Sequence, residues 1–322
     1  MSLLTSEFKR SHGQYFTVRN PFIHPQFAFW AHKAGLPGRP VIEPFAGAND
    51  IIRMLQDLNL CHDFTSYDID PADPDVIQRD VIANYPDVRG VAVTNPPYLA
   101  KNSAKRRKLA FPVTMHTDLY LVCLDLMLKH HDFVAAIVPA ALGTSGHFRD
   151  RLTHIIYLPF SDMFGDTEHP VCLALFEPIA MDTQVWSWVD KIGSETRLRS
   201  LIPTLAPKVA ITFNDPDGPI GLMAVDSTSG PTIRFCHAAE IPREEIKVSS
   251  RARTRISIDG ICNQDVDRLI GALNARLELF RSETHDISMT PFKGLRKDGK
   301  FRRRLDFRTV KYLVGDVMAR GI

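Results

Sequence analysis

Cysteine is scarce in this chain. Five occur among 322 residues, at positions 61, 123, 172, 236 and 262. They are odd in number and form no C-x-x-C pair. That excludes a disulfide framework and a thiolate zinc site, and it suits a reducing cytoplasm. Long hydrophobic runs are missing too. The longest, 133–142, has ten residues and is broken by Pro139, whereas a membrane helix takes about 20. No membrane partner is expected. The first residues, Met1-Ser2-Leu3-Leu4-Thr5-Ser6-Glu7, hold no signal-peptide core. There is no internal repeat and no low-complexity tract, which sets aside solenoids and disordered chains. His130-His131 has no third ligand at a suitable spacing, so the pair reads as a helix cap or an exposed pair and no metal is expected.

What is present is ordinary globular composition: 44% hydrophobic and 24% charged residues. A chain of this length builds one large or two smaller cores without staples. Its charge is uneven. The net value is +2, yet from Arg243 to Ile322 there are 18 basic against 11 acidic residues. That stretch is therefore +7 and the rest −5. A basic C-terminal quarter fits either a polyanionic partner or a solvated charged face.

Short apolar runs alternate with helical stretches over the first 180 residues. Strands are expected at 40–45, 64–69, 90–94, 133–138 and 171–177. Helices are expected after Asn49-Asp50 and over 118–130. The alternation implies a mostly parallel sheet covered on both faces, with ligands at the carboxyl ends of its strands. Small and polar residues collect at those ends. After residue 180 the strand-like pieces shorten, and Asp, Gly, Pro and Ser cluster at 213–221 and 226–231. A helix is expected over 263–280. The expected division is 1–180 and 181–322.

Chemistry concentrates at Thr94-Asn95-Pro96-Pro97-Tyr98. Two prolines after a strand stiffen the backbone and remove two N–H donors. Acceptors remain: the Asn95 side-chain oxygen and the nearby carbonyls, beside one flat ring, Tyr98. Such a site suits a planar –NH2 group whose two N–H bonds point at the acceptors while its ring stacks on the Tyr. Holding both hydrogens frees the nitrogen lone pair for attack by positioning alone. The plainer reading is an Asn-Pro turn after a strand.

The order of motifs resembles S-adenosylmethionine-dependent amino-group methyltransferases, above all the N6-adenine DNA methyltransferases of bacterial restriction–modification systems, in the subgroup whose target-recognition region follows the catalytic motifs. The resemblance covers roughly residues 11–177. His12-Gly13-Gln14-Tyr15-Phe16-Thr17 resembles the family's G-Q-x-F-T segment over the cofactor's methionine part. Glu43-Pro44-Phe45-Ala46-Gly47 resembles the turn after the first strand. Ser66-Tyr67-Asp68-Ile69-Asp70-Pro71 resembles the stretch whose leading acid binds the ribose, which points to Asp68, with Asp70 as its competitor. Arg79-Asp80-Val81-Ile82 resembles the segment at the cofactor adenine, although Asp80 also reads as the cap of a turn. Asn95-Pro96-Pro97-Tyr98, then 117–120, 137–139, 147–150 and Met163-Phe164 complete the order. In the family an aromatic at the position of Phe164 stacks on the target base opposite the Tyr; here Phe164 also reads as core. One departure stands out. Asn49 occupies the place of the second Gly in the first turn, and Asn tolerates the left-handed conformation better than most residues.

The resemblance implies an α/β, Rossmann-like S-adenosylmethionine-dependent domain with a mainly parallel twisted sheet, plus a smaller basic C-terminal DNA-recognition domain. It implies a bacterial or phage-encoded cytoplasmic enzyme acting on a flipped-out adenine in duplex DNA, and it admits a cognate restriction endonuclease as partner. Oligomeric state stays open. RNA adenine, protein glutamine and cytosine N4 remain as alternative substrates, and a non-catalytic DNA-binding subunit as an alternative role. For phosphate contact the candidates are Lys101, Lys105, Arg106 and Arg107 just after Tyr98; Arg251, Arg253 and Arg255, which alternate as on one strand face; and Lys293, Arg296, Lys297, Lys300, Arg302, Arg303 and Arg304, the densest basic run.

Overall fold

The computed structural model describes residues 17–159, 162–164 and 169–321. The chain divides into two compact units, Met1–Lys191 and Ile192–Ile322.

In the first unit, α1 (Pro25–Ala34) starts on a proline, with His24 Nδ1 accepting from the Gln26 N–H, and ends at a left-handed Gly35. Phe27, Trp30, Ala31 and Ala34 recur at helical spacing and are buried. The elements that follow are β1 (Val41–Glu43), α2 (Asp50–Asp57), β2 (Phe64–Asp68), β3 (Ile77–Gln78), β4 (Val91–Thr94), α3 (Lys101–Arg107), α4 (Leu119–His130), β5 (Val134–Pro139), α5 (Leu142–Ser145), β6 (Leu152–Tyr157), β7 (Val171–Phe176), β8 (Gln184–Ser187) and β9 (Asp190–Ser194). The sheet order is β3-β2-β1-β4-β5-β7-β6-β8-β9. β3, β2, β1, β4 and β5 are mutually parallel, and β7 runs antiparallel between β5 and β6. Every residue of β1, β4, β5 and β7 is buried. Alternate side chains point to opposite faces, so both faces of the sheet are covered.

The strands expected at 40–45, 64–69, 90–94, 133–138 and 171–177 form as β1, β2, β4, β5 and β7. The change of composition near residue 180 does not end the sheet, because β8 and β9 extend its far edge. His131 caps the C-terminus of α4, its N–H donating to the Met127 carbonyl at 2.8 Å, but it is not exposed. It is buried, between the Tyr85 hydroxyl at 2.9 Å and the Gly90 carbonyl at 3.2 Å.

Strand order reverses between β1 and β4, with β2 and β3 on one side and β4 and β5 on the other. Such a reversal leaves a crevice at the carboxyl ends of the strands. Glu43 is the last residue of β1, Asp68 the last of β2, and Asn95 follows the last of β4.

The second unit holds α6 (Glu195–Ser200), β10 (Ile211–Phe213), β11 (Ile220–Met223), β12 (Arg234–His237), β13 (Arg253–Ile258), α7 (Val266–Thr284), β14 (Thr290–Leu295), β15 (Phe301–Arg304) and α8 (Phe307–Ala319). An antiparallel sheet, β10-β13-β11-β12, and the hairpin β14–β15 stand beside the two long helices in sequence order. Leu269, Leu273, Leu277 and Phe280 of α7 form one core with Val310, Leu313 and Val314 of α8 and with Leu222, Phe235 and Ile256 of the sheet. Full burial of each such side chain contributes about 1.5–3 kcal/mol, enough to give this unit a core of its own.

Candidate active site

A cavity of about 350 Å³ opens at the strand reversal. Its lining includes Thr17, Glu43, Phe45, Gly47, Asp68, Ile69, Asp80, Val81 and Asn95. These are nine of the residues expected to hold a cofactor. Gln14, Tyr15 and Phe16 lie outside the described residues. Asp50 and Asp70 add two more carboxyls, against a single cation among the described lining residues, Arg79. The site thus suits a ligand with positive charge, several N–H or O–H donors and an apolar plane.

The first turn holds its shape without its second glycine. Gly47 and Asn49 both adopt left-handed backbone, at φ 53° and 62°. Asn49 makes no capping bond to α2, and its buried Oδ1 has no hydrogen-bond partner. Asp68 braces the turn: Oδ2 accepts the Gly47 N–H at 2.8 Å and Oδ1 accepts the Asp70 N–H at 2.9 Å. A carboxylate has about four acceptor positions, so capacity remains for a ligand hydroxyl. Asp80 does cap the following turn, with Oδ1 accepting from Ile82 and Ala83 at 3.1 Å each. That bond engages one of its two oxygens.

Glu43 is 1% exposed, and neither carboxyl oxygen makes a hydrogen bond of good geometry. Burial, with the charges of Asp68 and Asp50, pushes its pKa up to about 8, while the nearby Thr94 hydroxyl and Asn95 N–H oppose the rise. A buried acid with both oxygens unpartnered at the end of a strand is poised for a cationic donor.

Asn95 is held from two sides. Its Nδ2 donates to Thr17 Oγ1 at 3.2 Å, and its Oδ1 accepts from the Tyr98 hydroxyl at 2.5 Å. Thr17 is itself pinned, by an antiparallel bridge to Phe164 and by the Val18 N–H donating to the Met163 carbonyl at 2.9 Å. This orientation of the amide, oxygen toward Tyr98, is a role for Thr17 that the sequence motif did not indicate.

The structure brings Tyr98 and Phe164 together, but not as parallel plates. Their ring centroids are 6.2 Å apart at 70°, edge to face, and both rings are buried. A base between two rings needs them parallel and roughly 7 Å apart, two contacts of about 3.5 Å. The pair must therefore open to admit one. Pro96 is buried behind the turn, and Pro97 lines the cavity.

Leu99, Leu109, Ala110 and Leu119 also line the cavity. Sequence reasoning missed them, because apolar residues flanking a basic segment carry no motif. They converge because residues 101–117 form an excursion whose neck is closed by the bridge between Ala100 and Asp118. Within it, Lys101, Lys105, Arg106 and Arg107 lie on α3 and are exposed.

The basic residues of the second unit have divergent surroundings. Arg296 is a correction to the expected phosphate contacts. It is 5% exposed, and its guanidinium is bound to Asp226, Asp286 and Asp298 at 2.8–3.0 Å. Burial counts against the Asp286 charge, yet Arg281 and Arg296 outweigh it and hold that carboxyl below its usual range. Arg255 donates to the Ile241 and Pro216 carbonyls, and Arg302 to the Asp226 carbonyl with its guanidinium over Phe292. Arg253, which shares a face of β13 with Arg255, pairs with Glu245 at 3.0 Å. Arg251 is exposed, with its guanidinium over the Phe307 ring. Arg303 and Arg304 are half-buried on β15, and Arg303 Nη1 reaches the Met289 carbonyl. Lys293, Lys297 and Lys300 are exposed, on β14 and on the turn that follows it.

No protein-family model matches the chain, and no curated protein matches it. Among solved structures it is similar to a protein from Listeria monocytogenes assigned to the class I S-adenosylmethionine-dependent methyltransferases. The identity is 14% and the TM-score 0.39, over 53% of this chain and 65% of that one. It is similar to a type I restriction–modification methyltransferase subunit from Streptococcus thermophilus, at 12% identity and TM-score 0.41, over 54% of this chain and 47% of that one. It is also similar to the M protein of the type I restriction enzyme EcoKI, at 13% identity and TM-score 0.38, over 98% of this chain and 72% of that one. The chain spans less than two thirds of the first and about half of the second. Likeness at that level identifies no chemistry.

Proposed function

We propose that this chain is an S-adenosylmethionine-dependent methyltransferase that acts on the N6 amino group of adenine in duplex DNA. One observation carries the reading. The Asn95-Pro96-Pro97-Tyr98 turn, a set of acceptors beside a ring, borders the acidic cavity that also gathers Glu43, Asp68 and Asp80. The amino-group acceptor and the cofactor residues were expected separately, and they meet at one strand reversal.

The cavity's donor set fits the cofactor. Glu43, buried with two unpartnered oxygens, suits the ammonium of its methionine part. Asp68 has acceptor positions left for the ribose hydroxyls, and Asp80 has a second oxygen for the adenine amino group. Ile69, 58% exposed beside Val81, gives an apolar face for the ring. When bound, S-adenosylmethionine supplies a methyl group already activated by a positive sulfur, which takes the bonding electron pair as the methyl leaves.

The residues then have defined tasks. Asn95 Oδ1 and the Pro96 carbonyl accept the two N6 hydrogens and aim the nitrogen lone pair at the methyl. Thr17 holds the Asn95 amide so that its oxygen, not its nitrogen, faces the substrate. Tyr98 stacks on the base, with Phe164 opposite once the two rings separate. The target adenine must leave the helix first, at a cost of a few kcal/mol. Of the phosphate contacts expected in Ile192–Ile322, Lys293, Lys297, Lys300 and Arg251 are exposed and suited to that task.

The test is direct. The chain is incubated with unmethylated duplex DNA of high sequence complexity and labelled S-adenosylmethionine, and the DNA is digested to nucleosides. Label in N6-methyldeoxyadenosine, lost in Asn95→Ala, is expected. Label in RNA or protein only, with cofactor binding intact, moves the substrate to RNA adenine or glutamine. Absence of cofactor binding overturns the reading.

A further inference from the structure

The excursion 101–117 begins three residues after Tyr98 and returns at α4, and the residues at its neck, Leu99 and Leu119, both line the cavity. It holds five cations, Lys101, Lys105, Arg106, Arg107 and Lys108, and no acid. On its return stretch lie Val113, Thr114 and Met115. Both apolar side chains are fully exposed, Met115 at 99%. Covering such a side chain removes apolar surface from water and is favourable. Two of them flanking one threonine on a cationic excursion mark a surface that is covered in use. Nor is this stretch slack. Lys101 Nζ donates to the Thr114 carbonyl at 3.2 Å, and the His116 N–H donates to Thr114 Oγ1 at 3.2 Å. The His116 ring lies against His147 and Phe148.

We propose that Met115, assisted by Val113, is a wedge that enters the base stack of duplex DNA as the target adenine leaves it. The inference rests on the DNA reading above and adds a positioning residue to it. A flipped base leaves two unstacked neighbours and a gap. Apolar side chains, methionine among them, fill or prise open such steps. An unbranched, polarizable thioether adapts to a gap between rings. The cations of α3 match the phosphates on either side. Because both ends of the excursion border the cavity, the wedge and the amino-group acceptors belong to one continuous element. A bilayer surface takes a broad apolar face along a helix, which two side chains do not make.

The experiment uses the full chain in three forms: Val113→Ala with Met115→Ala, Met115→Leu, and Met115→Trp. Affinity for a labelled mixed-sequence duplex is expected to change less than about twofold in the double alanine variant, since phosphate contacts carry it. Methyl transfer to duplex is expected to fall about tenfold or more, with Met115→Leu restoring most of it and thermal midpoints unchanged. Wild-type transfer by the double alanine variant overturns the proposal. Emission of Met115→Trp, compared with the parent chain, is expected to be quenched by duplex DNA. A response to phosphatidylglycerol vesicles and not to duplex overturns the proposal in favour of a membrane contact. If the wild type methylates no DNA, the DNA reading has failed and the wedge falls with it; if the wild type methylates duplex and Met115→Trp emission is unchanged by duplex, the wedge alone is overturned.

Discussion

The Tyr98 hydroxyl donates to Asn95 Oδ1 across 2.5 Å, and the Ile137 carbonyl offers the same proton a second acceptor at 2.7 Å. One proton cannot serve both fully. In the structure the acceptor proposed for a substrate amino group is occupied by the chain's own phenol. Arrival of an N–H donor at Asn95 leaves the phenol its bond to Ile137, so the site exchanges partners without stranding a buried donor.

Tyr98→Phe separates the ring from the hydroxyl. It removes the phenol's bonds to Asn95 Oδ1 and to the Ile137 carbonyl. A loss of about 1 kcal/mol in stability is expected, with methyl transfer kept within about tenfold of wild type because the stacking ring remains. Tyr98→Ala is expected to lower transfer about 100-fold. Thermal melts and single-turnover transfer rates check both, and equal losses in the two variants would show that the hydroxyl, not the ring, matters.

Glu43 gives a pH signature. Its folded pKa, pushed up to about 8, lies above the ordinary value of 4.5. Across that window the folded state holds the extra proton, so the apo chain loses stability as pH rises from about 4.5 to 8. A cationic ligand favours the ionised carboxyl, so binding releases the proton and S-adenosylmethionine binds more tightly as pH rises toward 8. Calorimetric titrations at several pH values in two buffers are expected to show both the trend and the proton release. Glu43→Gln should flatten the dependence; an unchanged slope in that variant would assign the proton elsewhere.

Asn49 carries a positive φ of 62° and a buried, unpartnered Oδ1. Asn49→Gly removes both burdens and is expected to be neutral or stabilising by up to about 1 kcal/mol. Asn49→Val, β-branched in a left-handed position, is expected to cost about 1–2 kcal/mol and to weaken cofactor binding by distorting the turn that Asp68 braces. Urea denaturation and cofactor titration measure the two effects side by side.

Arg296 and its neighbours Lys297 and Lys300 should part company. Arg296→Ala leaves Asp226, itself fully buried, short of a cation and is expected to destabilise the chain by about 3–5 kcal/mol. The low carboxyl pKa of Asp286, held by Arg281 and Arg296, contributes stability at neutral pH that is lost as pH falls through its folded pKa. Lys297→Ala with Lys300→Ala is expected to leave stability unchanged and to lower the salt dependence of DNA binding by up to about two counterions. Denaturation curves and binding isotherms at several salt concentrations separate the cases.

The sequence by itself determined the alternation that makes the parallel sheet and the strand ends where chemistry collects. Five strands were readable because each is a short apolar run stopped by Asp, Asn, Pro or Gly, signals that are local. The same locality made Asn95-Pro96-Pro97-Tyr98 legible as a candidate, while Glu43, Asp68 and Asp80 became candidates through the resemblance of the motif order. Tertiary structure decided what is not local. Thr17 is 78 residues from the Asn95 amide it holds. Leu109 and Ala110 reach the cavity only because the bridge between Ala100 and Asp118 folds their segment back. Arg296 looks like its basic neighbours in sequence, yet it is buried because Asp226, 70 residues away, pairs with it. Charge along a chain tells how many cations there are. Which of them meet water and which meet a buried carboxylate is set by contacts that only the folded chain makes.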